Sequence, residues 1–154
     1  MNDPRVEKFM TGYRRAWESN DPADVVAIFT PDAVYRGRPG TPAWTGHDEI
    51  VAGWLENADE PGSTTFAWET LARDGDLAVV RCVTEYPKGP KKGTYDNLWV
   101  IDFAPDGRAD EFTDWWIARK WAATPPRGED RRYLKLMNCS ATSRSLPLSR
   151  AITD

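Results

Sequence analysis

The sequence predicts an α+β domain whose helices come first and whose antiparallel sheet follows. Two observations carry this. Apolar residues recur at helical spacing as far as Ala58, and beyond Asp59-Glu60-Pro61-Gly62 they recur at every second position. The alternating part divides into four long runs separated by turn signals. Helices segregated before such a meander make a layered α+β architecture.

Each element has its own signal. Asp3-Pro4 opens the first helix as N-cap and first helical residue. Val6, Phe9, Met10, Tyr13 and Trp17 then form one apolar stripe. Asn20-Asp21-Pro22 ends that helix and begins a second, with Val25, Val26 and Phe29 on its buried side. After the turn Thr30-Pro31-Asp32, residues Ala33 to Arg36 read as a short strand. Gly37, Pro39, Gly40 and Pro42 make the stretch to Thr45 a loop. A third helix, Gly46 to Ala58, presents Ile50, Val51, Trp54 and Leu55 on one face. The strands are expected over Thr64–Arg73, Leu77–Tyr86, Thr94–Phe103 and Arg108–Lys120, with Asp74-Gly75-Asp76 and Pro105-Asp106-Gly107 as hairpin turns. The remaining connection, Pro87 to Gly93, carries Lys88, Lys91 and Lys92 and reads as a solvated loop.

Composition narrows the function. With 154 residues the chain can close one core without metal or disulfide, and Cys82 and Cys139 are too few for either kind of framework. A net charge of -4 argues against general nucleic-acid binding. No run approaches the roughly 20 apolar residues that span a bilayer. MNDPRVEKFM lacks the pattern of a secretory signal, so a cytoplasmic protein is expected. The single histidine, His47, lies at a helix start beside Asp48 and Glu49; it reads as a solvated side chain and gives no metal site. Eight Trp, five Tyr and five Phe are more aromatic surface than a domain of this size needs, and suit a lined cavity or an interface. Residues 121–154 differ from the body: they hold three prolines and six basic against three acidic residues, and read as a tail, either mobile or docked on the acidic domain of residues 1–120.

Three segments resemble the nuclear transport factor 2-like superfamily and, within it, the SnoaL-like group. They are the helical start VEKFMTGYRRAWESND, the run FTPDAVYRG followed by a loop and TGHDEI, and the closing hairpin IDFAPDGRADEFTDWW. The resemblance covers roughly residues 4 to 120 and implies a cone: a strongly bent antiparallel sheet wrapped around the N-terminal helices, enclosing a mostly apolar cavity. It also implies a homodimer through the outer sheet face, with no membrane partner. The superfamily spans ketosteroid isomerases, polyketide cyclases, epoxide hydrolases and dehydratases, so the fold alone does not name a reaction.

Strand alternation sorts the candidate residues. Phe112, Asp114 and Trp116 share one face of the last strand, and Tyr95, Asn97 and Trp99 share one face of the strand before it. By the resemblance both faces line the cavity, with Trp17, Tyr35 and Trp54 completing a site for a small hydrophobic molecule. Asp114 lies between two aromatic positions, where lost hydration raises a carboxyl pKa and suits it to proton transfer. An aspartate near this position does that work in the polyketide cyclases that the resemblance brings in; the alternatives are a satisfied buried carboxylate or one that points outward. Arg81, flanked by valines, is the expected partner of Asp114, although the second aspartate that epoxide hydrolases use is not evident. Tyr13 resembles the oxyanion tyrosine of ketosteroid isomerases, yet Gly37 and Trp99 stand where the isomerase carboxylates belong, so that reaction is not expected. Trp44, Trp68 and the other indoles suit the core or the cavity wall, and Val100 with Trp115 suits a dimer interface. The readings left open are a cofactor-free acid–base enzyme using Asp114, Arg81 and Tyr13, a non-catalytic ligand-binding protein, and a dimerisation module.

Overall fold

The computed structural model describes residues 3–119, and the 121–154 tail lies outside the described residues. Helix α1 spans Pro4–Ser19, α2 Pro22–Val26 and α3 Gly46–Glu56. The strands are β1 Phe29–Arg36, β2 Trp44–Thr45, β3 Thr65–Asp74, β4 Leu77–Tyr86, β5 Gly93–Phe103 and β6 Ala109–Ala118.

Helix α1 starts where its capping chemistry dictates. The Asp3 carboxylate accepts from the backbone N–H groups of Arg5 and Val6, and Pro4 supplies no N–H that would need a partner. It stops at Asn20, which adopts the left-handed conformation at φ 51° and returns its N–H to Ala16. Asp21 caps α2 through the Ala23 N–H. At α3 the Thr45 side chain makes no cap; the Glu49 carboxylate reaches back to the Thr45 N–H at 2.7 Å, half of a capping box.

The six strands form one open sheet in the order β2-β1-β6-β5-β4-β3. The meander β3 to β6 is antiparallel throughout. The β1–β6 pair is parallel, which the chain can do because α3 and four strands intervene between them. Two features exceed the sequence expectation. Phe29 begins β1 rather than ending α2, because an irregularity between Phe29 and Val34 lets Thr30-Pro31-Asp32-Ala33 bulge while both ends stay paired to β6. The loop after β1 also contains the two-residue strand β2, held by Val34 and Tyr35.

The inner face of the sheet packs on α1. Val6, Phe9, Met10, Tyr13 and Ala16 are its buried stripe, meeting Val80, Trp99, Ile101 and Phe112. Two glycines permit close approaches: a Cβ on Gly12 would lie 2.6 Å from Ile28 Cγ2, and one on Gly53 would lie 2.3 Å from the Trp44 ring. Gly53 therefore lets Trp44 lie against α3, where it stacks on Tyr35 at 5.0 Å and 17°.

Candidate functional site

Cross-strand geometry puts a line of polar side chains on the inner face. Asn97 stands opposite Cys82 on β4 and Trp116 on β6; Thr84 and Asp114 are its diagonal neighbours. The Thr84 hydroxyl donates to Asn97 Oδ1 at 3.1 Å, and Asn97 Nδ2 donates to both oxygens of Asp114 at 3.1 Å. Thr84 is 1% and Asn97 8% exposed, so this chain runs through the interior. A hydroxyl donating to the amide oxygen turns the amide nitrogen toward the acid.

The surroundings set the acidity. Burial raises the Asp114 pKa to about 7, against the donors of Asn97 and Trp99, which pull it down. Trp99 stands directly opposite Asp114 in the ladder, but its Nε1 reaches no acceptor at hydrogen-bond distance and angle. At that acidity both protonation states are populated near neutral pH, as a proton-transfer group needs.

Two phenols share the region. Tyr13 Oη lies 3.2 Å from Tyr35 Oη. Burial holds both hydroxyls far above the usual phenol value, and the Asp114 charge pushes the same way. They are neutral donors at any physiological pH. Around them Tyr13 stacks on Phe112 at 5.6 Å and meets Trp54 at 5.0 Å and Trp99 at 4.6 Å, while Tyr35 stacks on Phe112 at 4.8 Å. Cys82 is also buried beside this line, and burial raises its thiol pKa, so it is an inert packing group.

The inner face ends at a more open rim. Trp116 is 37% exposed, meets Tyr95 edge to face at 5.7 Å, and carries the Arg38 guanidinium 4.1 Å over its ring. Nearby, the Asp59 carboxylate accepts from Trp17 Nε1 at 3.1 Å, Tyr86 Oη at 3.2 Å and Lys91 Nζ at 2.8 Å. That one side chain ties the α3–β3 loop to α1 and to the β4–β5 loop.

With this geometry in view, the comparisons are specific. A family model described as the SnoaL-like domain matches residues 10–112, more than half of the chain. The chain belongs to the SnoaL-like domain family. No curated protein sequence matches it. Among solved structures, an NTF-2 like protein of unknown function from Burkholderia xenovorans superposes with a TM-score of 0.60 at 13% identity, covering 77% of this chain and 88% of the other. A steroid delta-isomerase from Pseudomonas aeruginosa gives 0.54 at 17% identity over 76% and 82%. The epoxide hydrolase/cyclase-like enzyme SalBIII, of pyran ring formation in polyether salinomycin, gives 0.57 at 19% identity over 72% and 89%. These likenesses establish the nuclear transport factor 2-like fold, with its N-terminal helices and curled, unclosed sheet.

In this SnoaL-like domain the sequence-derived candidates separate into three groups. Asp114, Asn97, Trp99, Phe112, Tyr13, Tyr35 and Trp54 come together on the inner face. Trp17, Tyr95 and Trp116 stand toward the rim, with Trp17 stacked on Phe66 at 5.1 Å. Arg81 does not join Asp114. It stands opposite Leu98 on the outer face and pairs with Glu69. The run AVVRCVT is apolar on both faces, so its phase is not readable from the residues alone: Ala78, Val80, Cys82 and Thr84 point in, and Arg81 points out. His47 is likewise not free in solvent; its Nε2 meets the Phe29 carbonyl oxygen at 3.0 Å. Thr84 and Asp59 escaped the sequence reading. Register arithmetic could have found Thr84, because it is the diagonal neighbour of Asn97; nothing local marks Asp59.

Proposed function

We propose that this SnoaL-like domain binds a small hydrophobic molecule against the inner face of its sheet and carries out cofactor-free acid–base chemistry on it. Asp114 moves the proton, and Asn97, held by Thr84, stabilises its ionised form. One of the Tyr13 and Tyr35 hydroxyls donates to the other, which leaves the second O–H, together with the Trp99 N–H that has no acceptor among the described residues, as the donors available to a developing oxyanion. The observation that carries the reading is a carboxyl held at both oxygens by one amide among buried rings, whose burial raises its pKa. Arg81, paired with Glu69 on the other face, takes no part.

The test is proton exchange at the α-carbon of a bicyclic ketone, 1-tetralone, followed by NMR in D2O. The wild type accelerates exchange, and Asp114→Asn loses on the order of 10²-fold of that acceleration. Saturable binding of the ketone with no exchange above background assigns the domain to non-catalytic ligand binding instead, a role the dense ring packing around Tyr13 also suits.

We further infer a homodimer through the outer sheet face. Leu98, Trp115 and Ile117 stand there 37%, 53% and 73% exposed, an apolar patch large for a monomer in water. A cytoplasmic location suits the sequence, and among the described residues no helix is long and apolar enough to cross a membrane.

A further inference from the structure

The rim of the inner face holds a cation that the proposed chemistry does not use. Most arginines of the domain meet a carboxylate, as Arg36 meets Glu111 at 3.2 Å. Among the described residues Arg38 meets none; its guanidinium is exposed and lies 4.1 Å over the Trp116 ring. A guanidinium over an aromatic ring meets no hydrogen-bond acceptor there, and its N–H fork can grip a carboxylate with two parallel hydrogen bonds. The indole holds the cation in one orientation, which lowers the entropy lost when an anion arrives.

The ring under this cation belongs to the same face of β6 as Asp114. Tyr35 of β1 is level with Phe112 of β6, and both side chains are buried on the inner face. The next inward position on β6 is Asp114, and β1 ends at Arg36, level with Thr113, so Gly37 follows at the strand end. Among the described residues, a Cβ placed on Gly37 would meet no atom within 4 Å beyond its chain neighbours. Trp116, the ring under Arg38, is the next inward residue beyond Asp114.

We propose that the ligand of this site is a small ring-bearing acid, its carboxylate held by Arg38 on Trp116 and its apolar body lying past Gly37 toward Asp114. This deepens the ligand-binding reading above and rests on it. Arg38 is a specificity residue here, setting which molecules enter and which end leads; Trp116 positions it.

The experiment is isothermal titration calorimetry of the full chain with 2-naphthoate and with its uncharged isostere 2-naphthamide. The expected result is naphthoate binding about 10-fold or more tighter than the amide. Arg38→Gln brings the two to parity with the thermal midpoint unchanged, Arg38→Lys keeps part of the preference, and Arg36→Gln keeps all of it. Equal affinity of the wild type for both probes, or a preference that survives Arg38→Gln, overturns the proposal while leaving the hydrophobic site intact. Binding of neither probe at millimolar concentration overturns both readings.

Discussion

The side-chain amide of Asn97 spans both oxygens of Asp114, 3.1 Å from each, and among the described residues no cation shares the acid with it. Neutral donors alone do not offset the loss of hydration, so the acid keeps its proton to an unusually high pH. The pH and stability behaviour of the domain follow from that imbalance.

Stability should fall as pH rises through neutrality. The folded-state pKa of Asp114 is about 7, above the value of about 3.9 for an exposed Asp, so the folded chain binds the extra proton between those limits. The contribution is complete below pH 4 and is lost progressively as pH rises to about 7, amounting to about 4 kcal/mol by pH 8. Urea unfolding of wild type and Asp114→Asn at pH 5 and pH 8 checks it. The variant gains on the wild type at pH 8 relative to pH 5; an equal difference at both pH values means an ordinary carboxylate.

Removing the amide should raise the pKa further. Asn97→Leu deletes a hydrogen bond to a charged group, a loss of about 1.5–3 kcal/mol, or about 1–2 pH units. Thr84→Val frees the amide to turn and shifts the titration in the same direction by less than about one unit. Carboxyl-carbon NMR titration reads both. A downward shift in either variant contradicts the hydrogen-bond assignment.

Gly53→Ala should destabilise the domain despite the better helix propensity of alanine. The new methyl would lie 2.3 Å from the Trp44 ring, and moving the indole breaks its stack on Tyr35. Overpacking of this kind costs about 1–3 kcal/mol, partly offset by about 1 kcal/mol of helix propensity. The thermal midpoint should drop by a few degrees. An unchanged or higher midpoint shows that the ring can swing away at no cost.

Arg81→Met should do little. Its partner Glu69 is 44% exposed, and such pairs contribute less than about 1 kcal/mol. Unfolding curves close to wild type and full proton-exchange activity are expected. A large loss of exchange with the fold intact would bring Arg81 back into the mechanism.

Ile117→Lys with Trp115→Lys places two charges on the outer apolar face. Light scattering at micromolar concentration should show the wild type at twice the chain mass and the double variant at one. A wild type already monomeric removes the dimer proposal.

Most of the fold was legible because its signals are local. Asp3-Pro4 and Asn20-Asp21-Pro22 punctuate the helices, and the Gly-containing turns bound the strands. Alternation sorts the residues of β6 into two faces, but Trp115 and Ile117 share the face of Glu111 and Thr113, so the inward phase rests on the family resemblance. Strand β4 offers no contrast between its faces: valines occupy both, and Arg81 among them pairs with Glu69 of the neighbouring strand on the outer one. The parallel β1–β6 pairing, the Asp59 bonds and the Arg38–Trp116 stack join residues far apart in the chain, and short-range periodicity carries no information about them.

The parallel pairing also has a consequence for how the site comes into being. Strand β6 slots between β5, its immediate predecessor, and β1, some eighty positions upstream, with Tyr35 level with Phe112. Until that insertion happens, Asp114 has no enclosing wall and no reason to hold its proton. Closing so distant a contact is slow. The unusual acid therefore depends on a seam between segments distant in the chain, and not on the local β5–β6 hairpin alone.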